Sequence, residues 1–253
     1  MQRSDFEIEI CADSIESVLA AAEAGADRVE LCESLCEGGT TPSFGLISVA
    51  KQWVDIDVFV LIRPRKGNFV YSQHEIEIMT KDIEAAVKAG ADGIVIGCLT
   101  SDGEINTAAC KKLIAAAQSL PVTFHRAFDV CKNPTKALED IKNLSVQRIL
   151  TSGQQNKAID GVELLAKLNK QAENAIKIMA GSGVDEHNIL EIAKRSGAKA
   201  FHASLRSEKE EPPFYTNKNV LFNCTPEIPE FTRKISDSSR IKLLINQLIT
   251  NEL

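Results

Sequence analysis

Short runs of apolar and β-branched residues alternate along the chain with segments in which apolar residues recur at the 3.6-residue spacing of a helix. The runs begin at eight positions: Phe6, Arg28, Asp57, Gly93, Pro121, Arg148, Ala175 and Ala200. Successive runs start about 28 residues apart, which suits one strand–helix unit each. The pattern predicts parallel strands that are joined by helices and buried on both faces.

The number of strand–helix units favours a closed barrel. Eight units in roughly 205 residues fit an α/β fold of the (β/α)8 TIM-barrel type better than an open sheet. Gly25, Gly90 and Gly197 each close a predicted helix just before a strand, and glycine is the residue that tolerates the left-handed conformation there. A Rossmann-like sheet is the alternative, but the segment after the first strand, ICADSIES, lacks GxGxxG. We predict one TIM-barrel domain over residues 1–205.

Residues 206–253 follow a different pattern and are predicted to form a C-terminal extension. Prolines interrupt the stretch to about residue 234, which indicates an extended arm: Pro212, Pro213, Pro226 and Pro229. A helix follows, and its apolar residues share one face: Ile241, Leu244, Ile245 and Leu248. This face packs either on its own barrel or on a neighbouring subunit, and the pattern leaves both alternatives open.

Composition and charge exclude several classes of protein. The chain is 44% apolar and 25% charged, as in ordinary globular proteins. Its net charge of −6 and the lack of a basic block argue against nucleic acid and membrane surfaces as partners. No apolar run approaches the ~18 residues of a membrane span, and the N-terminus lacks a signal-peptide core. We therefore expect a cytoplasmic protein whose seven cysteines are reduced.

Polar residues interrupt the strand runs near their ends, where TIM barrels bind ligands. Strand alternation turns these side chains into the barrel: Glu9, Glu30, Arg63, His125 and His202. Burying such charges is costly unless they pair or hold a ligand. One alternative is a structural ion-pair network. The other is an active site in which Arg63 holds an anion, Glu9 or Glu30 accepts a proton and His125 transfers one.

A glycine-containing loop follows the seventh predicted strand. In AGSGV, the residues Gly181, Ser182 and Gly183 occupy the position where barrels often place backbone N–H groups around a phosphate. A phosphorylated or carboxylated ligand is one interpretation of this loop. A tight turn that needs positive φ angles is the other.

Cys11 and Cys32 end the first two predicted strands, and each stands two residues after a glutamate. Adjacent strands lie about 4.8 Å apart, so the two thiols can share one soft cation. Two thiolates without a histidine pair favour Cu(I) over the four-ligand requirement of structural zinc. Alternatively, both cysteines serve as small buried apolar residues. GxSxG, Walker and HExxH motifs are missing, so hydrolase, nucleoside-triphosphatase and zincin functions are not favoured.

Longer motifs occur in a fixed order from about Asp5 to Arg206: EICADSIESVLAAAEAGADRVELC, EGGTTPS, IRPR, GADGIVIGCLTSDG, TFHRAFD, RILTSG and FHAS. Together they resemble the copper homeostasis protein CutC family. The resemblance implies a TIM barrel, a cytoplasmic location, assembly into a homodimer or larger homo-oligomer, and Cu(I) binding by the thiols of Cys11 and Cys32.

The polar interior is more elaborate than a two-coordinate copper site needs. A second hypothesis is therefore a TIM-barrel enzyme, of isomerase or lyase type, that acts on a small phosphorylated or carboxylated metabolite. A non-catalytic oligomeric scaffold is the third. The sequence leaves open whether the protein is an enzyme at all.

Overall fold

The predicted fold is confirmed by the computed structural model of the chain, which describes residues 2–209, 215, 217 and 232–250. Eight parallel strands close into a barrel in chain order, and β8 pairs with β1. The barrel strands are β1 Glu7–Ala12, β2 Arg28–Leu31, β3 Asp57–Leu61, β4 Gly93–Ile96, β5 Val122–Phe124, β6 Arg148–Thr151, β7 Lys177–Gly181 and β8 Ala200–Ala203.

Helices surround the barrel and connect its strands. They are α1 Ile15–Ala24, α2 Phe44–Trp53, α3 Gln73–Lys88, α4 Thr107–Ala116, α5 Pro134–Lys142, α6 Val162–Ala172 and α7 Ile189–Ser196. Short 3₁₀ helices lie at Arg3–Asp5, Leu35–Glu37 and Arg126–Val130. Ser14, Ser43 and Ser72 begin α1, α2 and α3, where each side chain accepts a hydrogen bond from a backbone N–H of the first turn. Gly25 and Gly197 end α1 and α7 in the left-handed conformation, as predicted.

Strand alternation divides the core into two layers, as the sequence pattern predicts. Ile8, Ile10, Val29 and Leu31 belong to the apolar cluster between strands and helices and are buried. Their neighbours in sequence point into the barrel, where Phe59 and Leu61 pack with the two cysteines of β1 and β2. The interior is therefore only partly aliphatic and leaves room for charged side chains.

The N-terminal end of the barrel interior is filled by an ion-pair network. Glu9 is fully buried and accepts a hydrogen bond from Arg28 Nε at 2.6 Å, while Glu7 pairs with Arg28, Arg148 and Lys177. The Arg28 and Arg148 guanidinium groups both lie 4.9 Å from the centre of the Phe59 ring. Sequence reasoning foresaw an ion-pair network as one alternative but named neither arginine. Both arginines begin a strand two residues before another inward-facing side chain.

The described part of the C-terminal extension packs on the barrel of its own chain. β9 Arg206–Lys209 and β10 Arg233–Ser236 form an antiparallel pair, and α8 Ser238–Thr250 follows. α8 lies against α1 and α7, and the residues of its apolar face are buried: Ile241, Leu244, Ile245 and Leu248. The four prolines of the predicted arm lie outside the described residues. Across the residues that are described, no helix is both long and apolar enough to cross a bilayer.

Candidate functional site

A cavity of about 350 Å³ opens at the C-terminal ends of the barrel strands. Most of the predicted site residues line it: Cys11, Glu30, Arg63, His125, Ser182, Gly183 and His202. The remaining three lie just behind its wall and contact that first group: Glu9, Cys32 and Gly181. The structure thus places all the predicted residues in or directly against one cavity, which has the size of a small ligand pocket.

The two predicted cysteines form a buried thiol pair. Cys11 Sγ and Cys32 Sγ are 3.7 Å apart, because β1 and β2 pair in parallel and Cys32 directly follows the end of β2. The hydrogen bond with Cys32 and then burial raise the pKa of Cys11 well above its ordinary value. Without a bound metal, Cys11 is therefore a neutral thiol at pH 7.

His202 lies between two glutamates. Its Nδ1 is 2.7 Å from Glu9 Oε1 and its Nε2 is 3.7 Å from Glu30 Oε2. Burial alone would lower the pKa of His202, but hydrogen bonds to Cys11 and Glu9 and the charge of Glu30 outweigh it and raise that pKa well above 6.5. Burial raises the pKa of Glu30 to about 7, against the opposing charge of His202. Near neutral pH, Glu30 can therefore take up a proton, and the environment of His202 favours its protonated form.

Three different ligand types converge beside the thiol pair. Cys11 Sγ, a carboxylate oxygen of Glu30 and a ring nitrogen of His202 all lie within 4.8 Å of one another. Glu9 lies between Arg28 and His202, with one carboxyl oxygen at hydrogen-bond distance from Arg28 Nε and the other from His202 Nδ1. This leaves Nε2 facing the cavity. Sequence reasoning placed His202 and Glu30 among the candidate catalytic residues, with Glu30 as one of two alternative bases, and did not consider them as partners of the cysteines.

Arg63 is held by loop backbone. It follows β3 by two residues, and its guanidinium donates to the carbonyl oxygens of Glu37, Gly39 and Gly67 at 2.7–3.1 Å. Gly38 and Gly39 adopt positive φ angles in the same loop, which turns these carbonyls toward the arginine. In the part of the chain that the structure describes, Arg63 pairs with no carboxylate. The ion-pair network inside the barrel therefore includes Glu9 but does not include Arg63.

His125 differs from its predicted role. Its Nδ1 accepts a hydrogen bond from the backbone N–H of Ala127 at 3.1 Å. Burial and then the charge of Arg63 lower the pKa of His125 to about 3, so the ring is neutral at pH 7. A neutral ring that accepts at Nδ1 carries its proton on Nε2. His125 is therefore a hydrogen-bond donor, and the groups suited to proton transfer near pH 7 are Glu30 and His202.

The glycine loop has two distinct parts. A Cβ on Gly181 would lie 2.4 Å from Leu150 Cδ1, so close packing explains this glycine. Ser182 and Gly183 line the cavity with positive φ angles of 80° and 65°, and the Ser182 hydroxyl donates to Asn156 O. α7 begins only at Ile189, so its N-terminus does not directly follow this loop. An anion-binding role for Ser182 and Gly183 stays a prediction.

Comparison with known proteins agrees with this architecture. The sequence model of the CutC family matches residues 6–207. The human copper homeostasis protein cutC homolog is 45% identical over 239 residues, which cover 94% of this chain and 88% of the human protein. The family protein CutC of Bacteroides thetaiotaomicron is 48% identical over 93% of this chain and 95% of its own length.

A solved structure supports the same assignment. The crystal structure of CutC from Streptococcus agalactiae superposes with a TM-score of 0.76 at 39% sequence identity, and the match covers 79% of this chain and 98% of that one. The family match spans the whole barrel together with the thiol pair, Arg63, His125 and His202. The chain belongs to the CutC family.

Proposed function

We propose that this CutC-family protein binds Cu(I) through the thiols of Cys11 and Cys32. The single observation that carries the proposal is the pair of buried sulfurs, 3.7 Å apart, at the base of a cavity that opens to solvent. Thiolates are the ligands that Cu(I) prefers among protein side chains. The human relative is named a copper homeostasis protein, which agrees with copper as the cargo.

The donor set fits a soft ion with more than two ligands. A metal held linearly between two thiolates separates the sulfurs by about 4.6 Å, if each bond is roughly 2.3 Å as for zinc thiolates. The sulfurs lie 3.7 Å apart as hydrogen-bonded thiols, so a linear site requires them to separate, and a site with a third donor requires less movement. His202 Nε2 is the candidate, because Nδ1 is held by Glu9 in the manner of histidine ligands that are oriented by a carboxylate.

Copper titration of the reduced protein under anaerobic conditions tests this proposal. In competition with a Cu(I) chelator, the wild type is expected to take up one Cu(I) per chain. Cys11→Ser combined with Cys32→Ser should weaken binding at least about a hundredfold, because serine oxygens are poor ligands for a soft ion. The matched control is Cys98→Ala with Cys110→Ala, which removes another pair of neighbouring buried thiols. Unchanged tight binding by the Cys11/Cys32 variant would contradict the assignment.

The proposal includes a cytoplasmic location and assembly into a homodimer or larger homo-oligomer. The described cysteines are all unpaired thiols, which supports a reducing compartment. Self-association is supported by large apolar side chains that stand exposed on α2 and α3. These are Phe44, Trp53 and Ile78.

A second function, catalysis on a small phosphorylated or carboxylated metabolite, is favoured by one specific observation. His202 lies between two carboxylates, and both His202 and Glu30 line the cavity. Groups of this kind can remove a proton from carbon and return it, as an isomerase or lyase requires.

Proton exchange in D₂O tests the second function without knowledge of the product. Metal-free protein is incubated with a panel of small sugar phosphates and keto acids, and NMR records deuterium uptake at carbon. Glu30→Gln should slow any exchange about a hundredfold, whereas Glu163→Gln, which changes an exposed glutamate of α6, should leave the rate unchanged. Equal rates in the wild type and Glu30→Gln would exclude Glu30 as the base.

A further inference from the structure

Arg63 has unused hydrogen-bonding capacity inside the barrel. A guanidinium has five N–H donors. In Arg63, Nη1 donates to the carbonyl oxygens of Glu37 and Gly39, and Nη2 donates to that of Gly67. Nε is buried and has no hydrogen-bond partner among the described residues. Two donors on neighbouring nitrogens, Nε–H and one Nη2–H, are therefore left for a ligand.

His125 supplies a third unused donor on the same cavity. Its Nε2 is also buried without a hydrogen-bond partner within the described part of the chain, and the side chain is only 5% exposed. The Phe69 ring packs near both residues: its centre lies 5.0 Å from the centre of the His125 ring and 5.3 Å from the Arg63 guanidinium carbon. Unsatisfied buried donors are rare in folded proteins, and two on one cavity indicate a missing acceptor.

The positive charge of Arg63 indicates that the missing hydrogen-bond acceptor is an anion. Arg126 and Arg206 also line the cavity, but Arg126 pairs with Asp129 and Arg206 with Asp13. Arg63 is 6% exposed, and among the described residues its charge faces backbone carbonyls, the Phe69 ring and the Tyr71 hydroxyl but no carboxylate. An unpaired buried cation is unfavourable unless an anion joins it.

We propose that the cavity binds the carboxylate or phosphate group of a small metabolite between Arg63 and His125. One anion oxygen accepts from Arg63 Nε, a second from Nη2, and His125 Nε2 donates to either of them. Planar guanidinium donors suit such two-oxygen anions. A neutral imidazole N–H adds a donor without a second charge, and the cavity volume of about 350 Å³ limits the ligand to a small molecule.

The position of this subsite gives it a use in the proposed catalysis. Arg63 and His125 follow β3 and β5, whereas Glu30 and His202 belong to β2 and β8, and all four side chains line the same cavity. A ligand anchored by its anionic group on Arg63 therefore shares the cavity with Glu30 and His202. This use rests on the second proposed function, but anion binding itself does not.

Anion titration of the metal-free protein tests the inference. The probes are inorganic phosphate and acetate, each against sodium chloride at matched ionic strength. We expect phosphate, acetate or both to shift the ¹⁵N-labelled Nε–H signal of Arg63 and to raise the melting temperature. Arg63→Met should weaken anion binding at least about tenfold. Arg65→Met, which removes a more exposed arginine two residues away, is the matched control and should bind as the wild type does.

Each outcome bears on the proposal. A response to phosphate alone identifies a phosphate ligand, and a response to acetate alone identifies a carboxylate ligand. If Arg63→Met fails to fold, His125→Phe keeps the Arg63 loop contacts and should still weaken binding. No change of the Arg63 Nε–H signal with either anion, or equal stabilisation of the wild type and Arg63→Met, would overturn the inference. Binding without deuterium exchange would support it and contradict only the catalytic function.

Discussion

Replacing Arg28 by methionine is expected to lower the free energy of unfolding by about 3–5 kcal/mol. Arg28 is 4% exposed and pairs with Glu9, which is fully buried, at 2.6 Å. Burial, followed by the charge of Arg148, lowers the pKa of Arg28 to about 9, so it is still a cation at pH 7. Without it, the Glu9 carboxylate loses its guanidinium partner in a place that water does not reach. Methionine keeps the length and apolar packing of the arginine stem, so the loss measures the missing charge.

Urea unfolding at pH 7 measures this loss. Arg195→Met is the control, because Arg195 pairs with Glu191 and Glu163 at the surface, where an ion pair contributes about 0–1 kcal/mol. The double variant Arg28→Met, Glu9→Gln should lose less free energy of unfolding than the sum of the two single variants, because the carboxylate that lacks a partner is then removed as well. A loss below about 1 kcal/mol for Arg28→Met would show that water or Arg148 compensates Glu9.

The barrel was predictable because its strands are buried on both faces. Such strands are near-continuous apolar runs, and any inward charge stands out at an alternate position. The same rule placed Glu9, Glu30 and His202 correctly. It also applied to Arg28, two residues before Glu30, but the arginine stands at the first position of its strand, where a charge is usually a solvated end. Only the closed barrel of the structure shows that the first position of β2 lies inside the barrel.

The chemistry of the site was harder to predict than its location. The state of His125 depends on a hydrogen bond from Ala127 and on the nearness of Arg63, which comes from a different strand. The partners of Arg63 are backbone carbonyls of two loops, and carbonyls carry no signature in a sequence. The pairing of thiols with His202 likewise needs the register between β1, β2 and β8. Side-chain type gives candidates, and contacts across strands decide their charge and role.

The cavity has two chemically distinct sides, and this division relates the copper and enzyme hypotheses. Cys11, Glu30 and His202 form a side rich in acidic groups and thiols. Arg63 and His125 form a side of hydrogen-bond donors. A soft cation fits only the first side and a small anion only the second. The proposed copper and anion sites therefore use different residues and can be tested separately in the same protein.

His125 is expected to lower the free energy of unfolding by a growing amount as the pH drops below about 6.5, an effect that Glu30 opposes. Burial and the charge of Arg63 lower the pKa of His125 from 6.5 to about 3 in the folded chain. Between these two pH values the unfolded chain binds a proton at His125 that the folded chain does not bind. The contribution of His125 to the free energy of unfolding therefore decreases as the pH falls. The loss amounts to about 2 kcal/mol at pH 5 and about 4 kcal/mol at pH 3.

Comparing variants isolates this contribution from opposing groups. Glu30, whose pKa is raised from 4.5 to about 7, acts in the opposite direction, because stability is lost as the pH rises through that window. Urea unfolding from pH 7.5 to pH 5 is therefore measured for the wild type and for His125→Phe, which keeps a ring and cannot titrate. The wild type should lose about 2 kcal/mol more than the variant. His74→Gln, which removes an exposed imidazole, controls for the loss of one histidine. Parallel pH profiles for the wild type and His125→Phe would mean that His125 reaches a carboxylate or water when protonated, and the donor role assigned to its Nε2 would then be wrong.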